Sequence, residues 1–287
     1  MVPVDRSLVV RPYARQDLSP VCALVSNSVQ AHIHLDWQTI EEYLLTDPPY
    51  LWVAYTDGRL AGVIGFSRPI DGSSWLRVVS VRHQRDMHTV QQSLWEAALD
   101  VLQRDGLARV WAMVMHEWVY RWLVALEFRY IEQIVTLTYQ QTALPPPPPS
   151  PTPDIRVIEL ADVPQVHRID QSAFPPPWRL SLADVRLGVR VGSYRTIVMR
   201  DQQMIGYQIA TTHGLNGHLA RLGVLPDYQG QGVGKWLVYD MIRRFHQREI
   251  NFLSVNTQES NRRSQRVYEQ FGFRRNGYDL PVWMLDV

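Results

Sequence analysis

The sequence has little of what would tie it to an oxidising compartment, a membrane, a nucleic acid or a metal. Cys22 is its single cysteine, so no intrachain disulfide can form, and the residue reads as a small buried apolar side chain. No apolar run approaches the roughly 20 residues of a membrane-spanning helix. The opening Met1-Val2-Pro3-Val4-Asp5-Arg6 has no basic stretch followed by an apolar one, so no signal peptide is expected and the expected location is the cytoplasm. The net charge is only +1, which gives no pull toward nucleic acid or an anionic membrane. The histidines are scattered and no zinc-type Cys/His cluster occurs, so no metal is expected.

What is there reads as two folded halves. A chain of 287 residues, 46% apolar and 20% charged, can bury real cores and favours two domains. The first half runs from Leu8-Val9-Val10-Arg11 through a helical pattern carrying Val21, Leu24, Val25 and Val29. Strands follow at Leu51–Tyr55, Leu60–Phe66 and Trp75–Val81, the first two joined by an Asp57-Gly58 turn. A helix is predicted over Gln91–Gln103, then a strand from Arg109, a short helix from Glu117 and a closing strand over Ile131–Tyr139. Five successive prolines, Pro145 to Pro149, cannot sit inside a helix or a central strand. They predict a semi-rigid linker over 144–154 between domains at 1–143 and 155–287.

The second half repeats the first. Asp17 is matched by Asp162, Asp57-x-x-Leu60-x-Gly62 by Asp201-x-x-Met204-x-Gly206, Val81 by Val224, and Leu126-Glu127-Phe128 by Phe271-Gly272-Phe273. The offsets are 145, 144, 143 and 145, which points to two copies of one α/β fold, each with a mixed, largely antiparallel sheet flanked by helices.

The copies differ at one stretch. In the second half a strand, His218 to Val224, ends in Leu225-Pro226 and runs into Gln229-Gly230-Gln231-Gly232-Val233-Gly234-Lys235. An amphipathic helix then carries Leu237, Val238, Met241, Ile242 and Phe245 on one face. Alternating glycines leave backbone N–H groups bare to converge on an anion, and the helix adds the positive end of its dipole. This is a phosphate cradle of backbone. It is not a Walker loop, because three residues rather than four separate Gly230 from Gly234-Lys235 and Trp236 follows the lysine. It is not a dinucleotide fingerprint, because its spacing is G-x-G-x-G. The matching position of the first half reads Arg82-His83-Gln84-Arg85-Asp86-Met87-His88 and holds no glycine.

The Gln-x-x-Gly-x-Gly pattern of Gln229, Gly232 and Gly234 resembles the acetyl-CoA pyrophosphate loop of the GNAT N-acetyltransferase superfamily. A second motif in register, Asn261, then Tyr268, then Gly272-Phe273, strengthens the resemblance, which covers about Ile155 to Leu285. It implies a catalytic second domain that binds acetyl-CoA and a first domain that is a degenerate copy. Backbone N–H groups of Gln231, Gly232, Val233, Gly234 and Lys235 would hold the pyrophosphate, with Gln229 and Gly230 in the same cofactor-binding loop. The exposed edge at Leu222 and Val224 would pair with the pantetheine arm and polarise the thioester carbonyl. Asn261, also a natural helix N-cap, would bond the amide arm, and Tyr268 would be the general acid toward the leaving thiolate. Many family members carry a glutamate base on one of two central strands. Here His218 and Ser254 stand in those places, with His218 the candidate base and the missing glutamate leaving a non-catalytic acetyl-CoA-binding protein as the alternative.

The acceptor implied is a primary amine. Ile169-Asp170-x-x-Ala173-Phe174-Pro175-Pro176-Pro177-Trp178 resembles the acceptor-side segment of ribosomal-protein N-terminal acetyltransferases, which implies a peptide N-terminus. The tandem plan resembles mycothiol synthase, which implies a small amine. The oligomeric state and the choice between acetyl and longer acyl donors are left open by these motifs.

Overall fold

Alternating apolar residues build strands here, and 3.6-residue apolar stripes build the helices laid on them. The structure is a computed structural model that describes residues 8–287, so Met1–Arg6, read above for a leader, lie outside the described residues. It divides into two compact units. The first runs to Ile131 and includes Pro281–Val287; the second is Glu132–Leu280.

The first unit contains β1 (Leu8–Pro12), α1 (Leu18–Asn27), β2 (Ala31–Ile33), α2 (Ile40–Leu45), β3 (Leu51–Thr56), β4 (Arg59–Phe66), β5 (Ser73–Val81), α3 (Met87–Arg104), β6 (Arg109–Met113) and α4 (Glu117–Ala125). The chain then passes along β7 (Arg129–Gln140). The second unit continues with β8 (Asp154–Val157), α5 (Val163–Ala173), α6 (Leu182–Val191), β9 (Tyr194–Arg200), β10 (Gln203–His213), β11 (Asn216–Val224), α7 (Val233–His246), β12 (Phe252–Gln258), α8 (Arg262–Gln270) and β13 (Arg274–Arg275). The final strand is β14 (Leu280–Asp286).

Strand order in the first unit is β1-β3-β4-β5-β6-β14, with β2 also on β5. In the second it is β8-β9-β10-β11-β12-β7, with β13 also on β7. Each sheet is antiparallel except at one place, β5 with β6 and β11 with β12. The repeat reaches the side chains. Arg11 donates to both carboxylate oxygens of Asp17 at 2.6 and 2.7 Å, and Arg156 to both of Asp162 at 2.7 Å. The backbone N–H of Ala14 or Glu159 bonds the same carboxylate, so each acid ties its first strand to its first helix.

The domain boundary differs from the one that the proline tract marks. Strand β7 pairs with β12 from Phe252↔Gln140 to Gln258↔Ile134, so the chain enters the second unit well before the prolines. Strand β14 pairs with β6 from Val282↔Met113 to Asp286↔Arg109, so the last residues complete the first unit. Each unit thus takes its sixth strand from beyond its own repeat. Pairing of this kind is non-local and leaves no mark in composition.

The first core packs Trp95, Leu94, Ala98 and Leu102 of α3 with Trp122 and Leu123 of α4 on one sheet face, and Val21, Leu24 and Leu44 of α1 and α2 on the other. The second packs Val238, Met241, Ile242 and Phe245 of α7 with Tyr268 of α8 against Leu219, Leu253 and Val255. Cys22 is half-buried beside the first core.

Candidate active site

The two central strands of the second unit part company. Strands β11 and β12 pair in parallel from Asn216↔Phe252 to Leu219↔Val255 and no further. Beyond that, among the described residues, β11 has β10 as its one strand neighbour and β12 has β7. One edge of β11, from Ala220 to Val224, therefore faces a gap with its backbone groups unpaired by any strand among the described residues. The β10–β11 register slips where Ile209↔Arg221 gives way to Ala210↔Leu219, making Ala220 a bulge residue at the mouth of that gap. Leu222 is half-buried against the α7 side, and Val224 is buried.

The open edge leads into the glycine loop. Gly230 and Gly232 have φ of +81° and +86°, a conformation that side chains resist, and Gly232 is the N-cap of α7. A Cβ on Gly232 would lie 2.8 Å from the Ser150 hydroxyl, so a second constraint also demands glycine there. Ser150 belongs to the proline-rich segment and accepts a hydrogen bond from the Trp236 indole at 3.0 Å. The loop is braced from outside. Gln229 Nε2 donates to the Val224 carbonyl at 3.0 Å, and its Oε1 accepts from Arg263 at 2.6 Å. Gln231 Nε2 donates to the Asp227 carbonyl at 2.8 Å, and its Oε1 accepts from Arg200 at 2.6 Å. Both glutamine side chains therefore fix the loop. The first-turn N–H groups of Val233, Gly234 and Lys235 have no carbonyl within the helix to bond. A bare, braced turn with a positive helix end fits a pyrophosphate.

Helix α8 carries Asn261 and Tyr268. Asn261 is the N-cap, its Oδ1 accepting from the Ser264 N–H at 3.2 Å, which leaves the Nδ2 donors uncommitted. Tyr268 is 5% exposed and packs its ring 5.9 Å from Phe273. Burial pushes its hydroxyl well above the ordinary tyrosine range, opposed by a bond with Ser264, so it stays a proton donor at neutral pH.

His218 lies at the other end of β11. A Cβ on Gly217 would meet Phe245, and Leu219 packs in the same cluster, so these residues face α7 and α8 while His218 faces the opposite side. Tyr268 and His218 are thus on opposite faces of the sheet. Burial lowers the His218 pKa from its ordinary 6.5, which keeps the ring neutral near pH 7. Its Nδ1 is 2.9 Å from the Ser254 hydroxyl.

That same face holds a network of residues far apart in the sequence. Asp170 of α5 is fully buried and accepts from Tyr207, from the Arg221 Nε at 2.8 Å and from the Leu180 N–H at 2.9 Å. Arg221 also donates to the Trp178 carbonyl at 2.6 Å and lies 3.5 Å from the Phe174 ring centroid. The proline loop is thereby locked to the strand beside the bulge. A charged residue in the apolar run Leu219-Ala220-Arg221-Leu222 was the available signal, because an arginine on a central strand needs a buried acid.

Comparison with known proteins now bears on this geometry. The model of the Acetyltransferase (GNAT) family matches residues 163–273. The [ribosomal protein bS18]-alanine N-acetyltransferase of Haemophilus influenzae is 30% identical over 132 residues, covering 44% of this chain and 88% of that protein. The chain belongs to the GNAT acetyltransferase family. The Escherichia coli (strain K12) enzyme of the same name is 28% identical over 129 residues, covering 43% of this chain and 86% of its own. These relatives match the second half. Across the whole chain, a solved tandem GNAT protein from the clavulanic acid biosynthesis pathway superimposes with a TM-score of 0.67 at 15% identity, covering 98% of both chains, so the GNAT fold extends to the first unit. The protein is an N-acetyltransferase by this membership. Among the described residues, no helix is long and apolar enough to cross a membrane.

Proposed function

We propose that the second unit alone transfers an acetyl group from acetyl-CoA to a primary amine, and that the acceptor is a peptide N-terminus. The observation that carries the reading is the open edge of β11 from Ala220 to Val224, running straight into the Gly230–Lys235 cradle. Acetyl-CoA, when bound, supplies the thioester whose acyl carbon the amine attacks, with the C–N bond forming as the C–S bond breaks. The N–H groups of Val233, Gly234 and Lys235 hold the phosphates. The backbone of Leu222 and the N–H of Val224, whose carbonyl is held by Gln229, pair with the pantetheine arm as an added strand, and a β11 N–H polarises the carbonyl. Asn261 Nδ2 donates to the amide arm. Tyr268 gives its proton to the leaving sulfur, and His218 takes one from the attacking nitrogen. Both residues then exchange with solvent. Two faces of one sheet divide the work, acid from α8 and base from the α5 side.

The peptide acceptor is favoured by the relatives, which are named for acetylating the alanine of a ribosomal protein, and by the Phe174–Trp178 loop clamped beside the bulge through Arg221. A panel assay of CoA release tests it, with an alanine-initiated peptide, its N-terminally blocked form, a polyamine, an aminoglycoside and an amino-thiol. The free peptide should turn over and the blocked peptide should not. Turnover of a small amine in preference to the peptide would overturn the choice of acceptor.

A further inference from the structure

His218 and Ser254 are directly opposite each other in the parallel pairing of β11 and β12. Leu219, Leu253 and Val255 pack toward α7, so both side chains point to the other face, where the Arg221 network lies. The Ser254 Oγ is 2.9 Å from His218 Nδ1 and 3.4 Å from the Gly217 carbonyl oxygen. Three groups share two protons. A carbonyl only accepts, a serine hydroxyl carries one proton, and a neutral imidazole carries one. All three are satisfied when the hydroxyl proton points at the Gly217 carbonyl and the imidazole proton sits on Nδ1, donated to Ser254. Nε2 then has a bare lone pair.

We propose that Ser254 is a positioning residue for acetyl transfer, holding His218 as its Nδ1–H tautomer so that Nε2 is the atom that takes the proton of the attacking amine. This rests on reading His218 as the base. The bond also survives the reaction. When Nε2 gains a proton the ring still donates from Nδ1, so nothing at Ser254 has to move. A serine cannot act as a base unaided, and here it need not. It replaces the family's carboxylate by fixing a neighbour that can.

The test joins spectroscopy to kinetics on the full chain. Two-bond proton–nitrogen correlation spectra of histidine-labelled protein at pH 8 should show His218 as the Nδ1–H tautomer, and Ser254→Ala should shift it toward Nε2–H. With an alanine-initiated peptide, Ser254→Ala should lower kcat about tenfold and leave the acetyl-CoA KM within about twofold, and Ser254→Thr should restore both. A native Nε2–H tautomer would overturn the proposal. So would an unchanged kcat in Ser254→Ala while His218→Gln slows the reaction. If His218→Gln itself leaves kcat unchanged, the base assignment fails, and the inference falls with it.

Discussion

Both units splay the same pair of central strands, yet only one leaves the gap open. In the first unit β5 and β6 pair in parallel from Ser73↔Arg109 to Trp75↔Trp111 and then separate, as β11 and β12 do. There β5 has β4 on one edge along Val78 to Val81, and β2 takes the other edge through Ala31↔Ser80, His32↔Val79 and Ile33↔Val78. Three residues of the chain's own backbone occupy the edge that in the second unit is free. The loop differs too. Arg82 to His88 holds no glycine, and the short turn at Gln84–Asp86 leads into α3. Leu123, fully buried, stands at the offset of 145 from Tyr268. The lesson is physical. A splayed sheet is a binding slot only while its edge lacks a partner, and the chain can supply one as readily as a ligand can.

The contrast can be broken by experiment. Gly232→Val should have the largest effect. It places a β-branched residue at φ +86° against Ser150, so acetyl-CoA affinity should fall by about 100-fold or more with the circular dichroism spectrum unchanged. Retained affinity would show that the cradle is not where phosphate binds. Next, Tyr268→Phe should lower kcat about 1,000-fold with acetyl-CoA still bound, as expected for loss of a general acid. Turnover equal to the native rate at neutral pH would remove Tyr268 from the mechanism.

His218→Gln should cost about 100-fold in kcat and erase the part of the acid limb that His218 contributes. Burial holds the native pKa below 6.5 and the neutral ring is the active form, so the ratio of the native rate to the His218→Gln rate, in which the acceptor amine's own ionisation near about pH 8 cancels, should fall only as pH drops below 6.5. A ratio already declining above pH 7 would contradict this. The smallest effect concerns the slot-filling strand. His32 of β2 is wholly buried, and its pKa is pushed down to about 3, first by burial and then by His34 and His116. Its folded pKa lies below the unfolded one, so between pH 6.5 and 3 the unfolded chain binds the extra proton and stability is lost as the pH is lowered. His32→Leu should flatten the dependence of melting temperature on pH across that window. An unaltered slope would mean that β2 opens before the rest of the unit unfolds.

How much of this was legible depended on how local each signal is. Gly230, Gly232 and Gly234 announce the cradle because the turn is made by consecutive residues. Asn261 and Tyr268 announce the helix behind it for the same reason. The constant offset from Asp17 and Asp162 onward carried the two-copy architecture, and the paired Arg11–Asp17 and Arg156–Asp162 contacts follow it. Pairing between distant strands was not legible. Nothing in Arg129–Gln140 says that it joins β12, nor in Leu280–Asp286 that it joins β6, so the proline tract drew the boundary too late. Ala31–Ile33 is too short to show any periodicity, which hid the filled slot. His218 was visible as the candidate base and Ser254 only as the residue in the other central-strand place, and it is the parallel register that brings Nδ1 to the hydroxyl.

On this reading the chain holds two copies of one fold and a single usable slot. Calorimetric titration of the intact chain with acetyl-CoA tests it most directly. One site per chain is expected, abolished by Gly232→Val. A stoichiometry of two, or a site that survives in Gly232→Val, would contradict it.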